Sequence, residues 1–253
     1  MKKVILQALG ICKSYAHNGT QNHILNHVDL DIYEGDFTVI MGASGSGKST
    51  LLYSLSGMDM INAGKIIYKD EDIATYSEKK LAGLRHGEFG FVFQQMHLVS
   101  NLTLYENIVV PGYLNKKVSA KETKERANDL LEQMGLSKIQ NHLPSQVSGG
   151  EQQRAAIARA VINQPKLLFA DEPTGALNRK NTNEVLDLLS DMNAKGQSIL
   201  MVTHDMHTAL YATRILYLDD GKIIGELTLP SFNKDEEKSR ETQISAWLSS
   251  MEW

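Results

Sequence analysis

Gly42-Ala43-Ser44-Gly45-Ser46-Gly47-Lys48-Ser49-Thr50 fits the pattern G-x-x-x-x-G-K-[ST], and its reading governs the rest of this 253-residue chain. Glycines let a backbone curl around phosphate groups with no Cβ in the way. The turned amides then converge on an anion, and the helix that follows adds its positive N-terminal end. Lys48 is placed to reach the β- and γ-phosphates, and the Ser49 hydroxyl to serve Mg²⁺. Gly42, Ser44, Gly45, Gly47, Lys48, Ser49 and Thr50 are therefore the candidate nucleotide-binding residues. The ordinary alternative is a Gly/Ser-rich turn. The flanks argue against it. Asp36-Phe37-Thr38-Val39-Ile40-Met41 reads as a short apolar strand, and Thr50 to Ser56 as a helix that stops near Gly57. Strand, loop, helix is the context the motif requires.

Working outward, Leu167-Leu168-Phe169-Ala170-Asp171-Glu172 is an apolar strand that ends in two carboxylates. In open α/β sheets, ligands bind beyond the carboxyl ends of strands. Adjacent strand residues point in opposite directions, so the two acids should not do the same job. Asp171 is assigned to the Mg²⁺ shell and Glu172 to the attacking water. The competing reading is a solvated strand end. The phosphate loop upstream weighs against it.

Composition bounds the function classes. A 28.1 kDa chain with 42% hydrophobic residues can build one large domain or two small ones. A net charge of −4 and a pI near 6.1 give no support for nucleic-acid binding by bulk charge. One cysteine, Cys12, excludes an intrachain disulfide framework and fits a reducing compartment. The opening run from Met1 breaks at Gln7, too short for a signal-peptide core. No apolar run approaches the roughly 18 residues of a membrane span. The expected location is cytoplasmic, with any membrane role exercised through a partner. The eight histidines show no metal-ligand spacing.

The first forty residues look β-rich, with Val28, Leu30 and Ile32 alternating with Asp29 and Asp31. Glu34-Gly35 and Asn62-Ala63-Gly64 read as turns, and Lys65–Tyr68 and Gly90–Phe93 as strands. From Gln94 to about Pro144 the character changes. Ala120 to Met134 is a charged amphipathic helix with Leu130, Leu131 and Met134 on its apolar side. This block reads as a helical insertion in an α/β core. The core resumes with a helix near Gly150–Val161, the acidic strand, a helix near Thr182–Met192, and strands at Ser198–Thr203 and Arg214–Leu218. Asp220-Gly221 is a hairpin-turn signal. The tail is charged from Lys234 to Glu241. Ile244, Trp247, Leu248 and Met251 then recur at helical spacing. Such a helix either docks on its own domain or contacts a partner subunit.

Ser148-Gly149-Gly150-Glu151, opening a helix, looks like a second anion-binding helix start. One nucleotide rarely needs two, so this one can serve the nucleotide of another copy. The plain alternative is an N-cap serine and a tight turn.

Gly42–Thr50, Ser148–Gln152 and Leu167–Glu172 stand in the order and spacing of ABC-type ATPases, and the chain resembles that family from about Val4 to Glu226. The fold implied is an α/β P-loop NTPase core with an antiparallel β subdomain and an inserted α-helical subdomain at about residues 95–150. Together they make one ATPase domain over residues 1–230, followed by a tail over 231–253. Tyr15 matches the aromatic that stacks on adenine. Gln94 matches the glutamine that joins core to helical subdomain, contacts the metal and senses the γ-phosphate. His204 matches the switch histidine. The resemblance implies ATP and Mg²⁺ as ligands. It implies catalytic roles for Glu172, His204, Lys48 and Gln94, and a metal shell of Ser49, Gln94 and Asp171. It also implies a head-to-tail pair of copies in which Ser148, Gly149, Gly150 and Glu151 close over the partner's nucleotide.

A finer likeness is visible. Glu151 is similar to the branch that includes macrolide exporters and lipoprotein-release systems, whose permeases carry a large extracytoplasmic domain. Asp171–Asn178 and the ending Ala246–Trp253 resemble the bacitracin and antimicrobial-peptide resistance group within it. That implies a membrane permease as partner and, through it, a sensor histidine kinase. Asn178 stands where most of the family has Asp. Two other classes of reading stay open. One is a regulatory ATPase of the cell envelope that transports nothing. The other is lipoprotein-release or macrolide-type efflux. A DNA-repair or translation ATPase would need long coiled coils or a second ATPase half, and neither is present.

Overall fold

The computed structural model describes residues 2–17 and 20–251. Met1, Asn18, Gly19, Glu252 and Trp253 lie outside the described residues, and with them the last two residues of the tail's likeness. In chain order the elements are β1 (Val4–His17), β2 (Thr20–Tyr33), β3 (Phe37–Met41), α1 (Lys48–Leu55), β4 (Ala63–Tyr68), β5 (Glu71–Asp72), α2 (Glu78–Gly87), β6 (Phe89–Phe93), α3 (Leu104–Leu114), α4 (Ala120–Gln133), α5 (Gly149–Val161), β7 (Leu167–Asp171), α6 (Arg179–Ala194), β8 (Ser198–Val202), α7 (Met206–Ala209), β9 (Arg214–Asp219), β10 (Lys222–Thr228) and α8 (Glu237–Ser249). They fall into two compact units, Met1–Leu81 with Met192–Trp253, and Ala82–Asp191.

The first unit holds an antiparallel sheet in the order β2-β1-β4-β5. Val28, Leu30 and Ile32 face its core and Asp29 faces solvent, as the alternation predicts. Beside it, β3 pairs in parallel with β8 and with β9, and β10 folds back antiparallel on β9. β3 is buried along its whole length. A central parallel strand is covered on both faces, so it reads as a continuous apolar run rather than an alternation. The Asp220-Gly221 turn between β9 and β10 takes positive φ at both residues, 40° and 70°, as a tight primed turn requires. The tail forms α8, with Ile244 and Leu248 fully buried on its own unit. Trp247 meets Tyr217 edge-on at 6.5 Å. The Arg240 guanidinium donates to the carbonyls of Pro230 (2.9 Å) and Ala212.

In the second unit β6 and β7 pair in parallel, with Phe93 opposite Asp171. The segment from β6 to α5 is helical, and no strand occurs in it among the described residues. α4 has the predicted amphipathic face, with Leu131 and Met134 buried and Leu130 half-buried. α3 is an addition to the sequence reading. Its start is written in the chain as a capping box, in which the Thr103 hydroxyl accepts from Glu106 N at 3.2 Å and the Glu106 carboxylate accepts from Thr103 N at 2.7 Å. Pro111 lies inside the helix, which is what obscures it in the sequence.

Candidate functional site

Each unit carries its own set of the candidate residues. In the first, β3 delivers the chain into the phosphate loop and α1 begins at Lys48, two residues before the predicted start. Gly47 is its N-cap, at φ 101°, and no side chain caps the helix. No acidic residue stands in its first turn, so the helix start is left to an external anion. A Cβ on Gly42 would lie 2.1 Å from the Leu218 carbonyl oxygen and 2.7 Å from Ser46 Oγ, so only glycine can begin this loop. Ser46 Oγ is buried without a hydrogen-bond partner. The Lys48 ammonium is drawn into the loop, donating to the carbonyls of Gly42 (2.9 Å) and Ala43 (2.8 Å). The Asp220-Gly221 turn ties the loop to β2. Gly221 N donates to Ser46 O at 3.3 Å, and Asn26 N donates to Gly221 O at 2.9 Å.

His204 belongs to the same unit. β8 runs beside β3, and Thr203 N donates to Ile40 O at 3.2 Å, so His204 leaves the sheet at the end where the loop begins. Asp205 caps α7, accepting from His207 N, Thr208 N and Thr208 Oγ1. The chain is thus fixed on both sides of an exposed imidazole.

Tyr15, on β1, is 44% exposed. Its hydroxyl donates to Asp59, and Lys13 Nζ lies 4.7 Å from the centre of its ring. Lys13 is buried and donates to Asp59 Oδ1 at 2.5 Å and Met60 O at 2.6 Å. Partial burial and the Asp59 carboxylate push the phenol above its ordinary value of 10.0, while a hydrogen bond with Thr50 at the end of the phosphate loop acts the other way. Lys13 and Asp59 are 46 positions apart, so nothing in the sequence links them.

In the second unit the β6–β7 register brings two predicted residues together. Gln94 follows Phe93, and Glu172 follows Asp171. Both side chains face Gly175. A Cβ there would lie 3.0 Å from Gln94 Nε2 and 3.4 Å from Glu172 Oε2. Glu172 has φ of +43°, a left-handed conformation uncommon for a residue with a side chain. Such strain persists where the surroundings impose it, and it clusters at functional sites.

Ser148 caps α5 in a reciprocal box with Glu151. Glu151 N donates to Ser148 Oγ at 3.3 Å, and both Ser148 N and Oγ donate to Glu151 Oε2 at 2.7 Å. These donors hold the Glu151 carboxyl below its ordinary value of 4.5. The helix start therefore bears an anion of its own. The two glycines differ. A Cβ on buried Gly150 would meet the Asn181 carboxamide at 2.5 Å, so packing within the chain requires glycine there. Exposed Gly149 has only ordinary contacts, at 3.7 Å and beyond. Asn178 Oδ1 accepts from Asn181 N at 2.9 Å, which makes it the cap of α6.

Among the described residues no group of three or more His, Cys, Asp or Glu could hold a metal by itself. Ser49 in the first unit and Asp171 in the second each carry a hard oxygen of the kind Mg²⁺ takes, an ion that needs few protein ligands and completes its shell with water and substrate phosphates.

Residues 25–175, more than half of the chain, match the ABC transporter family. The macrolide export ATP-binding/permease protein MacB of Pasteurella multocida is 39% identical over 253 residues, covering 100% of this chain and 38% of that protein. The MacB protein of Wolinella succinogenes is 40% identical over 223 residues, 88% of this chain and 34% of that protein. The chain thus spans little more than a third of the curated relatives it matches. Among solved structures, a dimeric post-hydrolysis state of the ATP-binding cassette MJ0796 bound to ADP and Pi superposes with a TM-score of 0.82 at 36% identity, covering 90% of this chain and 100% of that one. CbiO1 from Clostridium perfringens, part of the ABC transporter complex cbiONQ, gives 0.80 at 27% identity, over 96% of this chain and 93% of that one. The chain belongs to the ABC transporter family, and it is that family's ATP-binding, ATP-hydrolysing cassette.

Proposed function

We propose that this cassette drives a membrane permease that protects the cell from compounds acting on its envelope, and that Glu172 is its hydrolytic base. The observation that carries the catalytic reading is the convergence of Gln94 and a strained Glu172 on Gly175 at the end of the acidic strand. Glu172 orients and deprotonates the water that attacks the γ-phosphate in line. Lys48 neutralises charge on the β- and γ-phosphates, His204 contacts the γ-phosphate, and Gln94 registers its presence. The turned amides of Gly42 to Thr50 bind the phosphate chain, and Tyr15 stacks on the base. Ser49, Gln94 and Asp171 would hold Mg²⁺, which when bound screens the phosphate charge. Ser148, Gly149, Gly150 and Glu151 meet the nucleotide of a second, head-to-tail copy. Gly149 supports this, since nothing within the chain requires glycine at that position.

No helix among the described residues is long and apolar enough to cross a membrane. In this reading the permease supplies the membrane part, and the cassette sits at the inner face of the cell membrane. Val99, Val110, Tyr113 and Leu114 are exposed on the helical unit, Leu114 by 67%, and offer an apolar face for that dock. The permease carries a large extracellular domain, and a sensor histidine kinase is coupled through it.

For the substrate we favour antimicrobial peptides of the bacitracin or lantibiotic kind, on the likeness of Asp171–Asn178 and the tail. Macrolide-type efflux is the second reading, favoured by the MacB relatives. A strain whose sole copy carries Glu172→Gln should become sensitive to bacitracin and keep its macrolide susceptibility. A rise in macrolide sensitivity alone would favour the second reading. Unchanged sensitivity to both would overturn the protective role.

A further inference from the structure

Gln94 sits in a stretch whose backbone is held from both sides by a single helix. On the N-terminal side, Gln153 of α5 donates from Nε2 to Phe93 O at 3.1 Å. On the C-terminal side, Arg159 of the same helix donates to Met96 O (Nη2, 2.8 Å) and His97 O (Nη1, 2.6 Å). Gln153 is fully buried, and its Oε1 has no partner. A glutamine placed for burial alone would be better replaced by an apolar residue. Its one made bond is the one to Phe93.

Arg159 is unusual in the same way. Its partners are two successive backbone carbonyls rather than a carboxylate, and burial lowers its pKa with no opposing charge to offset the cost. What a planar guanidinium gains there is geometry, since two N–H groups fix two peptide units at once. The loop needs such a restraint. His97 has φ of +48°, and its ring packs edge-on to Phe93 at 5.4 Å. α5 is a 13-residue helix capped at its start by Ser148. Ser148 at one end and the Gln94 loop along the helix are therefore attached to the same rigid rod.

We propose that Arg159 and Gln153 are positioning residues that clamp the Gln94 loop to α5, so that the Ser148 helix start and Gln94 move as one body. This rests on the reading of Gln94 as the residue that senses the γ-phosphate. Neither side chain touches nucleotide. Their effect on hydrolysis passes through Gln94.

The test uses the purified full chain with Mg-ATP, measuring initial hydrolysis rates, nucleotide affinity and melting temperature. Arg159→Met should lower turnover about tenfold, because small displacements of a positioned group are costly. Nucleotide affinity should stay within about twofold, since the phosphate loop is untouched. Arg159→Lys, able to reach one carbonyl, should recover part of the rate. Gln153→Met, close in volume, should give a smaller loss in the same direction and stands in if Arg159→Met does not fold. The decisive readout is the double variant Gln94→Ala/Arg159→Met, which should be no slower than Gln94→Ala alone. Multiplying losses, or a loss that merely follows melting temperature, would overturn the clamp. Wild-type turnover in Arg159→Met with a slow Gln94→Ala would do the same while leaving the Gln94 reading intact. Wild-type turnover in Gln94→Ala would sink both.

Discussion

Glu172 is the residue on which hydrolysis should turn. Glu172→Gln keeps the side chain's shape and removes its basicity, so turnover should fall about 10²- to 10⁴-fold with nucleotide binding retained. A rate assay beside a nucleotide titration checks both parts, and near-normal turnover would remove the assignment. Lys48→Ala should weaken ATP binding, because it deletes a full positive charge facing the phosphates. Tyr15→Ala should weaken ATP and GTP alike, since stacking tolerates any base. Asp59→Ala should act in the same direction as Tyr15→Ala, for Asp59 anchors both the Tyr15 hydroxyl and the Lys13 ammonium on the ring. Titrations with a fluorescent nucleotide decide this, and unchanged affinity in all three variants would refute the site map. Of these residues, Lys48, Glu172 and Tyr15 can be named from motif position. Asp59 cannot, because its role depends on a fold that returns the chain after α1 to β1.

Among the elements, helix starts depend on single capping side chains. Asn178 differs from the acid usual in the family, yet its amide oxygen does the capping that a carboxylate would do. Asn178→Ala should therefore cost about 1 kcal/mol, and Asn178→Asp should be tolerated. Equal melting temperatures for the wild type and Asn178→Ala would contradict the cap. Sheet pairing yields a pH prediction. Glu226 on β10 accepts from Arg214 on β9 at 2.7 and 2.9 Å, and that guanidinium holds its carboxyl below the ordinary 4.5. A carboxyl whose pKa is depressed by folding stabilises the fold above its unfolded value and loses that contribution as pH falls through the folded one. The side chain is 47% exposed, so screening keeps the effect small. Glu226→Gln should melt lower than the wild type at pH 7. The gap should narrow from about pH 4.5 downward. A gap independent of pH would show that the pair contributes through packing alone.

For the whole molecule, the proposal that Ser148 and Gly149 meet a partner's nucleotide predicts nucleotide-dependent pairing. Glu172→Gln, which binds but turns over slowly, should be monomeric without nucleotide and dimeric with saturating ATP. Light scattering reads the mass directly. A mass that stays monomeric with ATP would argue against the sandwich. The Ser148–Glu151 box gives the comparison variant. Ser148→Ala should bind nucleotide through its own phosphate loop and yet dimerise less, a separation that a simple folding defect would not produce.

The strand-loop-helix at Gly42–Thr50, the acidic end of β7, the core strands and the Asp220-Gly221 turn are all legible in the chain before it folds. Each is set by neighbours within a few positions, where backbone freedom, side-chain alternation and local hydrogen bonding act directly. The tail has two readings in the sequence, and the tertiary structure shows Ile244 and Leu248 buried on the chain's own first unit. Only that structure decided that Gln94 and Glu172 face one glycine, that Lys13 and Asp59 hold Tyr15, and that α5 grips both flanks of Gln94. Those contacts join residues tens of positions apart. Strand register and helix packing create them, and neither is encoded in any single stretch of the chain.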